Sequence, residues 1–269
     1  MTSAARADRW ISRRGSDTAR LRLFCLPFAG GGSPFYSRWQ SGFPAEIEVC
    51  ALDLPGHQRR VQEPAFRRAG PLVEAIADGI APYLDLPFAF FGHSMGALLA
   101  FELARTLRRA SGPAPGALFL SGAAAPQLPR PRRPVWGLPD DEFLSEVRAY
   151  GGISDEALAE PGLMALFLPA LRADFEIFDS YQAEPGEPPD CPVYLYGGDQ
   201  DPHVAPARLA AWGDVVPNVV SVQFYRGDHF YLSGHREALT ASIARALDAL
   251  LDGPPDRFAA GGQEVPRHG

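Results

Sequence analysis

Short apolar runs alternate with amphipathic stretches along most of this 269-residue chain, and that alternation predicts an α/β fold. The expected form is a mostly parallel central sheet with helices on both faces. Two further observations point the same way. A glycine-rich turn, FAGGGSP (28–34), follows the first strong apolar run, and the pentapeptide GHSMG (92–96) sits between an apolar run and a helical pattern. A hydrophobic fraction of 46% with 21% charged residues is the composition of a chain that buries a sizeable core.

The elements follow in order. Residues 1–20 are polar and Arg-rich, with Trp10 and Ile11 as the one large apolar pair, and read as a short edge strand or a loose arm. LRLFCLP (21–27) is a buried-strand pattern, and EIEVCALDLPG (46–56) gives a second strand and its loop. LVEAIADGIAPYL (72–84) carries helical periodicity. PFAFFGHSMG (87–96) is a strand entering a sharp turn, ALLAFELARTLRRA (97–110) a helix, and GALFLSGAA (116–124) a strand. The alternation then stops. Residues 126–139 hold five prolines and three arginines, and two amphipathic helices are expected near 140–150 and 154–182. Strands resume at CPVYLYGGD (191–199) and VVSVQFYRGDH (219–229), and REALTASIARALDALL (236–251) closes the fold. The expected organisation is one domain over 1–252 with an insertion at about 126–189, followed by a Gly/Pro-rich tail, 253–269, that reads as disordered.

Several classes of function are excluded or disfavoured. No apolar run approaches the roughly 20 residues that span a bilayer, and the polar N-terminus lacks the apolar region of a secretory signal. A net charge of −7 argues against nucleic acid as the main partner, because phosphate binding needs a basic footprint. Cys25, Cys50 and Cys191 lie far apart in three apolar runs, an odd count that reads as reduced core thiols in a cytoplasmic protein. No paired Cys or His spacing suggests a metal, and no cofactor is expected. All 25 basic residues are arginines, which excludes Schiff-base chemistry on a lysine.

The chemistry centres on Gly92-His93-Ser94-Met95-Gly96, a G-x-S-x-G pattern with a strand before it and a helix after it. Such a serine sits on a strained strand-to-helix turn that small flanking residues permit. The helix N-terminus then favours developing negative charge beside it. A hydroxyl is a weak nucleophile and needs a base. With this elbow the acid and the histidine follow the serine in the chain. His203, His229 and His235 qualify by position. His229, in the loop after a late strand, is preferred as the base, and His235, at the start of the last helix, reads as a solvent or capping residue. The orienting acid lies in GGDQDP (197–202), where Asp199 and Asp201 compete. Asp201, held against Pro202, is preferred, with Asp199 as a turn former. Asp228 is expected to point away. The oxyanion hole requires backbone amides, and Met95 is assigned one. Ala29 is favoured for the other, ahead of Phe28. A dinucleotide-binding reading of the glycine turn with Asp53 as ribose partner is weaker, because the G-x-G-x-x-G spacing is missing.

LFCLPFAGGGSPFYSRW, DLPGHQRR, GHSMG, LPALRADFEIFDSY, GGDQDPHV and GDHFYL occur in that order over about residues 20–250. Together they closely resemble the type II thioesterases of modular polyketide and nonribosomal peptide synthetases. The resemblance implies an α/β-hydrolase fold with a helical lid, and hydrolysis of acyl groups from the phosphopantetheine arm of an acyl or peptidyl carrier protein. It implies Ser94 as nucleophile, His229 as base and Asp201 as acid. That family often carries His or Tyr where this chain has Phe28. The competing expectations are an ester or lactone hydrolase, a chain-releasing cyclase, and a catalytically silent acyl-binding scaffold.

The insertion is expected to act as the lid. Phe143, Val147 and Tyr150, then Leu163, Leu166, Phe167, Leu171, Phe175 and Phe178, recur at helical spacing and need something to cover. Phe28, Phe167 and Phe175 are expected to line an acyl pocket. The chain is expected to be a monomer. With net negative charge, docking of an acidic carrier would depend on local arginines: Arg59/Arg60, Arg67/Arg68, Arg108/Arg109 or the Arg130/Arg132/Arg133 cluster.

Overall fold

The computed structural model describes residues 9–13, 15–129, 133–152 and 160–251. Seven strands form one sheet: β1 (Ile11–Ser12), β2 (Leu21–Leu26), β3 (Ile47–Leu52), β4 (Phe88–His93), β5 (Leu118–Ser121), β6 (Val193–Gly198) and β7 (Val219–Tyr225). Their order is β1-β3-β2-β4-β5-β6-β7. Every neighbouring pair is parallel except β1, which lies antiparallel to β3 at the edge, with Ile11 opposite Leu52.

The central strands are buried along their whole length because helices cover both faces, as in parallel sheets generally. Their alternation sorts side chains into two cores. Phe24, Leu26, Phe88, Phe90, Leu118 and Leu120 face one side, against α2 (Ala69–Ile80), α3 (Met95–Arg109) and Leu209 of α6 (Pro206–Ala210). Leu23, Cys25, Ala89, Phe91 and Phe119 face the other, against Tyr36 of α1 (Ser33–Tyr36), Trp39, Tyr231 and Leu232 of α7 (Tyr231–Gly234), and α8 (Arg236–Leu251). On α8, Leu239, Ile243 and Leu247 at i, i+4 and i+8 make the buried stripe. Cys25, Cys50 and Cys191 are buried and unpaired, and burial pushes the thiol pKa of Cys191 up to about 12.

Between β5 and β6 lie α4 (Asp140–Tyr150) and α5 (Pro161–Ser180). They share a small separate core of Val135, Phe143, Val147, Leu171 and Phe175 among the described residues. The Phe143 and Phe175 rings meet edge to face at 5.4 Å, and the Arg172 guanidinium lies 4.3 Å from the Phe143 ring centre. α5 has two characters. Beyond Pro169 its C-terminal half is packed on several sides, and Ile177, with Tyr181 just past the helix end, enters the main core. Before Pro169 it is more open, and Leu166 is 45% exposed rather than turned inward. The side chain of Leu163, residues 154–159, Arg130, Arg132 and the tail 253–269 lie outside the described residues.

Candidate active site

β4 ends at the point where the sheet delivers its C-terminal edge. Ser94 follows with φ 55° and ψ −118°, a backbone state that non-glycine residues rarely hold. Two close approaches make the turn possible. A Cβ on Gly92 would lie 2.0 Å from the Gly96 carbonyl oxygen, and one on Gly96 would lie 2.3 Å from that of Leu26. The turn is fixed further by the Ser94 amide, which donates to Ser121 O at 2.8 Å. Ser94 is the N-cap of α3, so its hydroxyl stands at the positive end of a 15-residue helix.

Loops after β6 and β7 bring Asp201 and His229 to the same edge. His229 Nε2 lies 3.0 Å from Ser94 Oγ, and His229 Nδ1 lies 2.7 Å from Asp201 Oδ2. An ionised carboxylate only accepts, so Nδ1 carries the proton and Nε2 accepts from the serine hydroxyl. Burial raises the carboxyl pKa of Asp201. The bonds from His229, and from the His203 and Val204 amides at 2.7 and 3.1 Å, outweigh that and hold it below the usual carboxylate range. Asp199 is exposed and accepts from the Gly227 amide at 2.9 Å, tying two loops together. Asp228 accepts from the Phe230 amide and leaves the site alone. His235 is the C-cap of α7, as a capping residue was expected to be, and its ring donates to Arg226 O at 2.8 Å, anchoring the loop that carries His229.

Ala29 and Met95 line the same cavity as Ser94. Ala29 belongs to the turn after β2, and Met95 is the first residue of α3, where helix amides have no intrahelical acceptor. Among the described residues, neither donates to a backbone carbonyl outside the helices. Asp53 accepts from the Ser33 amide and hydroxyl at 2.9 and 3.0 Å, so it holds the turn and is not left for a ribose.

An apolar cavity covers Ser94, lined chiefly by Phe28, Met95, Tyr150, Phe175, Phe178 and Phe230. Its volume is about 30 Å³. A second cavity, of about 100 Å³, lies beyond it beside Leu128, His203 and Arg208. Tyr150, Phe178 and His229 line both and form the wall between them. Phe167 does not line the pocket. It sits eight residues before Phe175 on α5, about 12 Å along the helix axis, so its periodic match to the stripe carries it past the cavity.

Three more residues surround His229. His93, inside the elbow, is fully buried and 4.9 Å from the His229 ring. Burial, then the neighbouring His229 charge, push its pKa well below the ordinary imidazole value, so it stays neutral. Tyr150 stacks on His203 at 3.8 Å and meets His229 edge-on at 5.5 Å. His203, passed over in the sequence reading in favour of His229 as the base, lines the second cavity beside Tyr150. The signal for it was its position two residues after Asp201.

A model of the thioesterase domain matches residues 21–249. The chain belongs to the thioesterase family. This thioesterase is 42% identical over 252 residues to the gramicidin S biosynthesis protein GrsT of Aneurinibacillus migulanus, covering 93% of this chain and 98% of that one. It is 34% identical to the thioesterase PikA5 of Streptomyces venezuelae, over 92% of this chain and 88% of that one. Among solved structures, the type II thioesterase BorB from the borrelidin biosynthetic cluster superposes with a TM-score of 0.79 at 33% identity, over 90% and 97% of the two chains. The enzyme is a type II thioesterase of the serine-hydrolase kind with an α/β-hydrolase fold. Among the described residues no helix is long and apolar enough to cross a membrane.

Proposed function

We propose that this thioesterase hydrolyses acyl thioesters from the phosphopantetheine arm of an acyl or peptidyl carrier protein, in the cytoplasm, clearing the carriers of a polyketide or nonribosomal peptide synthase. The relay from Asp201 through His229 to Ser94 at the elbow is the observation that carries this reading. Ser94 Oγ attacks the thioester carbonyl carbon while its proton passes to His229 Nε2. Asp201 stabilises the resulting imidazolium. The oxyanion of the tetrahedral intermediate is received by the Met95 and Ala29 amides. Collapse breaks the C–S bond, the imidazolium protonates the leaving sulfur, and an ester to Ser94 remains. Water then attacks that ester with His229 again taking the proton, and the carboxylic acid leaves. Every step uses groups of the chain itself.

The acyl group occupies the cavity walled by Phe28, Phe175 and Phe178. α4 and the open half of α5 act as a lid over that cavity. The carrier docks on exposed arginines. Arg60 is not among them, being buried with its guanidinium 3.9 Å from the Trp10 ring centre and paired with Glu63. The relatives named for gramicidin S and borrelidin biosynthesis support this reading. Its test is hydrolysis of carrier proteins loaded with acetyl, propionyl, malonyl and longer acyl groups. Release of free acid with return of the holo-carrier is expected. Turnover of simple esters alone contradicts the proposal.

A further inference from the structure

A second His–carboxylate pair lies about one loop away from Ser94 and takes no part in the relay. Asp174, on α5, is buried, and its Oδ2 accepts from the Gly30 amide at 2.7 Å. The same oxygen lies 2.9 Å from Nε2 of the buried His57, whose Nδ1 lies 3.1 Å from Pro55 O. A carbonyl only accepts, so Nδ1 carries a proton, and the contact to Asp174 needs another. Burial lowers the His57 pKa, but the Asp174 charge and hydrogen bond, the Pro55 bond and the Asp53 charge outweigh it and raise the value, which puts that proton on the imidazole. One carboxylate thus joins three segments: the loop after β3, the glycine turn after β2, and α5.

What it holds is specific. Gly30 follows Ala29, which lines the cavity at Ser94, and Asp174 precedes Phe175, a wall of the same cavity. We propose that Asp174, backed by His57, is a positioning residue that locks the glycine turn to α5 and so sets the Ala29 amide at the oxyanion. This rests on the oxyanion role given above to Ala29. The Gly30 nitrogen is bonded to the Ala29 carbonyl carbon, so a hydrogen bond to it fixes the turn where a small displacement is costly, since misplacement near 1 Å can reduce turnover about 100-fold.

The test compares Asp174→Ala with Asp174→Asn. With its Oδ1 where Oδ2 stands, the asparagine still accepts from the Gly30 amide and from a protonated His57 Nε2, so the turn stays tied without the carboxylate charge. Asp174→Ala is expected to lower kcat on an acyl-carrier thioester about 10- to 100-fold with KM moving less than about threefold. Labelling of Ser94 by a fluorophosphonate, whose phosphonyl oxygen uses the same amides, should slow in parallel. Asp174→Asn should recover most of both losses. If folded Asp174→Ala keeps the wild-type kcat and labelling rate, or if Asp174→Asn loses as much as the alanine variant, the positioning role is wrong. Ser94→Ala run alongside separates the outcomes: if it remains active, the underlying Ser94 reading has failed, whatever Asp174 does.

Discussion

The sheet and the α4–α5 region solve the same packing problem with very different means. The sheet buries side chains on two faces, so each central strand is held by neighbours on four sides and the loops at its C-terminal edge inherit that rigidity. The α4–α5 pair shares a five-residue core of its own and is tied to the frame through the C-terminal half of α5, by Asp174, by Ile177 in the main core and by Tyr181 next to it. Ser94, Asp201 and His229 all stand on the first kind of support. Tyr150 and Phe175 stand on the second, and Phe178 packs against the main core from α5. On the proposed function, bond-making falls to the fixed frame and substrate size to a covering held mainly through one half of α5, where lower local stability permits opening.

Substitutions in the frame should therefore act on turnover, and those in the covering on selectivity. The largest effect is expected from Ser94→Ala, which removes the attacking oxygen and leaves the strained turn able to form. Thioester turnover should fall on the order of 10⁴- to 10⁶-fold, with the melting temperature held or raised, read by kinetics and calorimetry. Asp201→Asn should cost on the order of 10⁴-fold, because an amide leaves the imidazole in the wrong tautomer. Asp199→Asn should cost far less, and the reverse order would transfer the acid's role to Asp199.

Phe178→Ala acts on the covering. It opens the wall between the 30 and 100 Å³ cavities and should shift preference toward longer acyl groups by about 1–3 kcal/mol in relative kcat/KM, measured across a chain-length series. A fall in stability with an unchanged chain-length profile would make Phe178 purely a packing residue. The smallest effect concerns pH. The His57 pKa is raised in the folded state, so its contribution to stability is complete below about 6.5 and is lost as pH rises through the folded value. The charged groups facing it are Asp174 from α5 and Asp53 from the end of β3, the latter paired with Arg59. The Tm gap between wild type and Asp174→Ala should narrow from pH 6 to pH 9; a constant gap would remove the charge from the account. On the acid side the sign reverses. The lowered Asp201 pKa keeps its contribution intact above about 3.8, and it is lost as pH falls through the lower folded value.

The frame was legible in the sequence because strand periodicity and the elbow are local signals. Ser94 announces itself through Gly92 and Gly96, and His229 through a late loop. β1 was ambiguous because two residues cannot show a period, and its pairing with β3 is a tertiary fact. The covering was legible only as helices. Phe167, Leu171 and Phe175 share one helical stripe, and periodicity cannot say where along it the cavity ends. Leu166 and Phe167 were misjudged for that reason, and Arg60 because a buried arginine over Trp10 looks in sequence like half of a surface pair. His57 and Asp174 are 117 positions apart, and no local pattern joins them.

The account's central claim is that Ser94 takes an acyl group from a carrier's phosphopantetheine and gives it to water. Intact-mass spectrometry of a propionyl-loaded carrier protein, incubated with wild-type enzyme and with Ser94→Ala, tests it directly. The account predicts conversion to the holo-carrier by the wild type, a transient enzyme mass increased by one propionyl group, and an unchanged carrier with Ser94→Ala. Equal deacylation by both proteins, or a carrier left loaded by a wild-type enzyme that still turns over simple esters, would contradict it.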